Sequence, residues 1–214
     1  MHHSDSATVT TVDTLAKLLD VCGELRSSEQ VDERAVTGCS FDSRAVSAGD
    51  VFFCKGAAFK PAFLSMALDA GAVAFVCEES LVESLEPLAQ ESGAAMLVVD
   101  SVRTAMALLP PEVYDRPDHD VKIVGITGTK GKTTAAFMLQ SIIKAAESCG
   151  MIGSVSTDDG IECYESTNTT PEAPEVWRHI ANCRTSGRQS MVMEVSSQAL
   201  KYQRVENLPF DVAC

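Results

Sequence analysis

The segment that most narrows what this chain can fold into is Gly128-Thr129-Lys130-Gly131-Lys132-Thr133-Thr134. It follows Val121 to Ile126, an apolar run rich in β-formers. It precedes Thr134 to Ala146, where Phe137, Met138, Ile142 and Ile143 recur at helical spacing and predict a helix stopped by Gly150. A strand, a turn of small residues and a helix, in that order, bring backbone N–H groups and the positive end of a helix to one point, an arrangement suited to phosphate. In such a loop Gly128 and Gly131 let the backbone approach the anion, Lys132 reaches the terminal phosphates and the Thr133 hydroxyl serves Mg²⁺. Thr129 and Thr134 complete the loop, and Lys130 is either a second cation for the nucleotide or a solvated loop charge. Ile126 stands where the strict GxxxxGK[ST] pattern has glycine, so the loop is the shorter GTxGKT[TS] form. An accidental Gly/Thr/Lys turn is the competing reading; the agreement of strand, loop, GKT and helix favours a nucleotide loop.

The rest of the chain alternates strands and helices, the pattern of α/β architecture with mostly parallel sheets. Val12, Leu15, Leu18, Leu19 and Cys22 predict a first helix, capped by Thr11 or Asp13 and stopped at Gly23. Gly49 to Cys54 reads as a buried strand. Helices are expected over 61–70, 80–91 and 101–109, and strands over 72–77 and 94–99. Residues 110–120 hold three prolines and four acidic residues and read as a linker. The expected organisation is therefore a first domain over residues 1–110, a linker over 111–120 and a second domain from 121 to 214. In the second domain Met151 to Val155 and Ser190 to Val195 are expected strands, and Pro171 to Cys183 a helix. Leu208 to Cys214 reads as a strand just starting, so the second domain is expected to be incomplete.

Composition excludes several classes. With 17 basic against 30 acidic residues the net charge is −13, which disfavours a nucleic-acid partner but not a nucleotide held by one cationic loop. The longest apolar run, Ala70 to Cys77, is far short of the ~20 residues of a membrane span. Met1 to Thr11 lacks an apolar core and does not read as a signal peptide. The eight cysteines form no CxxC pair and lie mostly in apolar stretches, so buried free thiols in a reducing cytoplasm are expected. His119 and His179 read as surface or core residues.

Three further segments, with the loop, resemble a known family, the Mur ligases. Thr167-Asn168-Thr169-Thr170-Pro171-Glu172 is similar to the TNTTPE motif of the branch that makes UDP-N-acetylmuramoyl-tripeptide. Met193-Glu194-Val195-Ser196-Ser197-Gln198-Ala199-Leu200 with Arg204-Val205 resembles the MEVSSxAL…RV motif of that branch, with Gln198 given no role. Asp42-Ser43-Arg44, Gly49-Asp50-Val51-Phe52, Gly56 and Ala70-Gly71-Ala72 resemble its UDP-binding domain, although Ala57, Ala58 and Phe59 replace the His-Gln-Ala of some members.

The resemblance implies a small UDP-binding α/β domain followed by an incomplete parallel-sheet ATP-binding domain, the ligase domain lying beyond residue 214. It implies a cytoplasmic, monomeric, ATP- and Mg²⁺-dependent ligase of peptidoglycan synthesis. Such an enzyme adds a diamino acid, L-lysine or meso-diaminopimelate, to UDP-MurNAc-L-Ala-D-Glu through an acyl phosphate. Carried over residue by residue, Lys132 and Glu194 are catalytic, and Gly128 to Thr134 bind ATP. Thr133 and Glu194 hold the metal, and Ser43, Asn168, Thr169, Thr170, Ser196 and Arg204 bind the muramoyl substrate. Plainer readings stand beside these: Glu194 as an exposed strand-end acid, Thr170 as a helix cap, Arg204 as a surface charge, Asp42 and Arg44 as a turn pair. The 214-residue chain by itself is expected not to turn over. The competing functions are a non-catalytic UDP-muramoyl-peptide or ATP-binding module and another Mur-type ligase.

Overall fold

The computed structural model describes residues 10–19 and 33–214; the expected helix end at Cys22 and Gly23 lies outside the described residues. Contacts divide the chain into two units, Met1–Asp115 and Arg116–Cys214.

The first unit carries four parallel strands in sequential order: β1 (Gly38–Ser40), β2 (Asp50–Phe53), β3 (Ala74–Glu78) and β4 (Ala95–Val99). Their side chains alternate between two apolar layers, as a sheet covered on both faces requires. Val51, Phe53, Val76 and Leu97 pack with Val12 and Leu15 of α1 (Val12–Leu19) and Met106 and Leu109 of α4 (Val102–Val113). Phe52, Phe75, Cys77 and Met96 pack with Leu64 of α2 (Pro61–Asp69) and Leu85 of α3 (Val82–Ser92). Each such large side chain contributes about 1.5–3 kcal/mol by leaving water. The Thr11 hydroxyl, not Asp13, caps α1 by accepting from the Thr14 N–H at 3.3 Å. Leu18, placed on the apolar stripe by its spacing, is exposed.

The expected linker is largely ordered structure. Helix α4 runs through Pro110 and Pro111 to Val113, and both prolines are buried. Their missing N–H groups forgo two helical bonds, while their rings stay within the apolar side of the final turn. Asp115 and Arg116 then adopt positive φ of 54° and 44°, turning the chain into a short 3-10 turn at Pro117–His119. The Arg116 guanidinium lies 5.7 Å from the centre of the buried Trp177 ring and bonds Asp118 at 2.6 Å.

The second unit holds a six-stranded sheet in the order β10-β5-β9-β6-β7-β8. β5 (Lys122–Ile126), β6 (Cys149–Ile152), β9 (Ser190–Glu194) and β10 (Val212–Ala213) are parallel. β7 (Ser156–Asp158) and β8 (Cys163–Glu165) add an antiparallel edge that the sequence pattern did not announce. Helix α6 (Ala173–Thr185) buries Val176, Trp177, Ile180 and Cys183 and starts from a reciprocal Glu172/Glu175 capping box, so Thr170 is not its cap.

The helix that the spacing of Phe137, Met138, Ile142 and Ile143 predicts does form, and one expectation about it fails for a steric reason. The apolar residues that mark α5 (Lys132–Ile143) divide between its faces: Ile143 packs against the sheet, whereas Phe137, Met138 and Ile142 are 38%, 62% and 69% exposed. Beside Ile143 the helix sets Ala136, whose small side chain permits close approach, and Gln140, whose amide donates to the Cys149 carbonyl at 3.3 Å. Gly150 does not end that helix but lies inside β6. A Cβ there would stand 2.6 Å from Cys183 Sγ and 3.1 Å from the Asp158 carbonyl oxygen. The five described cysteines in the core are free, and burial pushes the Cys183 thiol up to about 12.

Gly150→Ala is therefore expected to destabilise the second unit by about 1–3 kcal/mol through overpacking. Adding Cys183→Ala should recover part of that loss in denaturant unfolding; strictly additive losses would rule out this contact as the cause.

Candidate active site

The parallel register of β5 and β9 places Ile126 directly opposite Glu194. Both strands therefore deliver their C-terminal ends to one point, where open α/β sheets bind ligands. The chain leaving Ile126 turns through Gly128 and Gly131, at φ of 135° and 84°, before entering α5. Side chains other than glycine rarely adopt those angles. Thr129, Lys130 and Thr134 are exposed, while Lys132 and Thr133 are half-buried at the first helical turn. The Lys132 ammonium donates to the Gly128 carbonyl at 2.8 Å, folding the lysine across the loop.

Glu194 is wholly buried and is not an exposed strand-end acid. Its Oε2 accepts from the Thr133 hydroxyl at 2.9 Å and from the Ser154 hydroxyl at 3.2 Å, and its Oε1 accepts from the Ser154 N–H at 2.9 Å. A buried carboxylate needs such partners. The set consists of hard oxygen donors, the kind that suits a magnesium ion. Ser154 carried no motif, and only its place just after a strand could have drawn notice.

The Thr167–Glu172 segment lies against the same strand end. The buried Thr170 hydroxyl donates to the Glu194 carbonyl at 2.8 Å and accepts from the Ser196 N–H at 3.1 Å. Ser196 caps α7 (Ser197–Lys201) by accepting from the Ala199 N–H at 3.1 Å. Arg204 is no surface charge: its guanidinium donates to the Thr170 carbonyl at 2.9 Å and pairs with Glu172 at 3.0 Å. These groups stitch the segment to the strand end, whereas Asn168 is exposed and Thr169 half-buried.

Ser43 belongs to the first unit. There a hollow of about 400 Å³ is lined by Phe41, Ser43, Phe52, Lys55, Phe59 and Met66. Asp42 takes both Arg44 Nε at 2.9 Å and Arg44 Nη2 at 2.6 Å, a turn pair. Hydrogen bonding to Arg44 holds the Asp42 carboxyl below its ordinary range.

With strand, loop, helix and acid in this arrangement, residues 126–214 match the Mur ligase middle domain. Over those residues the chain belongs to the Mur ligase family. It is 42% identical over 183 residues to a UDP-N-acetylmuramyl-tripeptide synthetase of Latilactobacillus sakei, covering 83% of this chain and 34% of that protein. It is 34% identical over 210 residues to a UDP-N-acetylmuramoyl-L-alanyl-D-glutamate–L-lysine ligase of Streptococcus suis, covering 94% of this chain and 42% of that protein. The chain thus spans well under half the length of these curated relatives. In fold it is similar to a solved UDP-N-acetylmuramoyl-L-alanyl-D-glutamate–2,6-diaminopimelate ligase, with a TM-score of 0.69 at 20% identity over 96% of this chain and 39% of that one. It is also similar to the MurF ligase of Thermotoga maritima in complex with ADP, with a TM-score of 0.54 at 22% identity over 82% of this chain and 36% of that one.

This Mur ligase domain also contains a polar network that the motifs did not mark. His179, expected as a packing residue, is buried but fully bonded. Its Nδ1 lies 2.6 Å from Asp159 Oδ2 and its Nε2 3.0 Å from the Tyr164 hydroxyl. Asp159 also accepts from Asn182 at 2.8 Å and from the N–H groups of Ile161 and Glu162 at 2.9 and 2.7 Å. Burial alone would raise the Asp159 carboxyl; hydrogen bonds from His179, the Glu162 N–H, Asn182 and the Ile161 N–H outweigh it and hold it well below the usual carboxylate range. The network ties the β7–β8 hairpin to α6.

A depressed carboxyl contributes stability that is present above its unfolded value, about 4, and is lost as pH falls through the folded value. Asp159→Asn is expected to lower stability at pH 7 by about 1–3 kcal/mol. It should also flatten the loss of melting temperature below about pH 4. An unchanged acid limb would remove Asp159 as its source.

Proposed function

We propose that this chain forms the nucleotide- and UDP-muramoyl-dipeptide-binding part of an ATP-dependent ligase of peptidoglycan synthesis. The substrate is UDP-MurNAc-L-Ala-D-Glu. Its terminal carboxylate is phosphorylated by ATP, and the amine of a diamino acid, L-lysine or meso-diaminopimelate, displaces phosphate from the acyl phosphate. The protein acts in the cytoplasm as a monomer. The observation that carries this reading is the buried Glu194 carboxylate bonded to the Thr133 hydroxyl at the mouth of the Gly128–Thr134 loop.

Phosphoryl transfer depends mainly on positioning and charge neutralisation. The loop N–H groups and the first turn of α5 hold the nucleotide phosphates, with Thr129, Lys130 and Thr134 at the rim. Lys132 exchanges its bond to the Gly128 carbonyl for the terminal phosphate, an exchange its half-buried, flexible stem allows. Thr133 and Glu194 would hold magnesium, which when bound neutralises phosphate charge. Asn168 and Thr169 face the muramoyl peptide, while Thr170, Ser196 and Arg204 set the shape of that segment. In the first unit Ser43 meets the uridine nucleotide, and the aromatic rings around it provide an apolar wall.

Lys132→Ala is expected to weaken binding of magnesium-AMP-PNP at least ten-fold in calorimetric titration, with the melting temperature nearly unchanged. Wild-type affinity in that variant would end the phosphate-loop assignment. Glu194→Gln keeps the shape of the side chain and removes its charge. It should keep the affinity measured in EDTA and lose the gain that magnesium brings; an undiminished gain would exclude Glu194 as a metal ligand.

A further inference from the structure

We infer that Ser154 is a positioning residue that couples the nucleotide loop to the Thr167–Thr170 segment. The inference rests on the nucleotide reading above and assigns a role to a residue outside every motif. Ser154 bonds both oxygens of one buried carboxylate, through its N–H at 2.9 Å to Oε1 and its hydroxyl at 3.2 Å to Oε2 of Glu194. The same hydroxyl donates to Thr169 Oγ1 at 3.0 Å. The preceding residue permits this seat, since a Cβ at Gly153 would stand 2.7 Å from Glu194 Oε1.

A hydroxyl carries one hydrogen and accepts through its oxygen. Ser154 therefore has two states. With its hydrogen on Glu194 Oε2, it gives nothing to Thr169. With its hydrogen on Thr169 Oγ1, it polarises the Thr169 hydroxyl, whose own hydrogen points elsewhere and bonds an anionic ligand beside Asn168 more strongly. The Thr133 hydroxyl already shares Glu194 Oε2, at 2.9 Å. When a cation engages Thr133 and Glu194, less of Oε2 remains for Ser154, and the second state gains. Occupation of the nucleotide side thus makes Thr169 a stronger donor on the muramoyl side. By linkage, a carboxylate ligand on Thr169 strengthens cation and nucleotide binding by the same factor.

The test is calorimetric titration of the whole chain with magnesium-AMP-PNP, with and without saturating UDP-MurNAc-L-Ala-D-Glu. Wild type should show a coupling factor of about five-fold or more. Ser154→Ala should bring the factor close to one, and Ser154→Thr, which keeps a hydroxyl, should restore it. Thr169→Val cuts the same link from its far side and should also bring it close to one; it carries the test if Ser154→Ala fails to fold. A role in folding alone would change melting temperature and leave the factor intact, which would overturn the inference. Wild type binding both ligands without coupling would overturn it too. Wild type binding no magnesium-AMP-PNP would instead bring down the nucleotide reading, and this inference with it.

Discussion

The parallel pairing of β5 with β9 is the constraint on which the rest of the second unit depends. Its register sets Ile126 opposite Glu194, so the residue before the loop and the acid at the end of the neighbouring strand emerge side by side. Shifting the pairing by one residue would turn every side chain of β9 to the other face. Glu194 would then leave the Thr133 hydroxyl, and its carboxylate would lie buried without partners. Hydrogen bonding of the backbone thus places a charge that the interior would not otherwise tolerate.

Around that point, small residues decide how close the elements come. Ala136 lets α5 rest on the sheet, Gly150 leaves room for the Cys183 sulfur, and Gly153 lets Ser154 reach both oxygens of Glu194. The polar groups of the motifs then fall into two kinds. Thr170, Ser196, Arg204 and Glu172 mostly bond one another and hold a loop in shape. Asn168, Thr129 and Lys130 remain exposed and available to ligands. A motif can therefore be a unit of sequence while its residues divide between those bonded within the fold and those left exposed.

The first unit reaches its stability by a plainer route. Its four parallel strands alternate apolar side chains between two helix layers, and most of its large buried residues belong to one of two clusters. Its Asp42–Arg44 pair lies in the turn that follows β1.

The sequence by itself determined most of the parallel strands, the helices that cover them and the glycine-rich turn between β5 and α5, because periodicity, glycine punctuation and the GKT triplet are local properties, while β1, β7, β8 and α7 escaped it. It could not determine which face of α5 is covered, since Phe137, Met138 and Ile142 satisfy helical spacing whether or not anything packs on them. It misplaced Gly150, because a glycine required by a distant sulfur looks the same as one that ends a helix. It passed over Ser154 and His179, whose partners lie 40 residues away at Glu194 and 20 away at Asp159. Only the tertiary structure decided those roles. Burial and strand register are collective properties of the folded sheet, and a hydrogen bond across such a distance exists only once both ends have been brought to the same place.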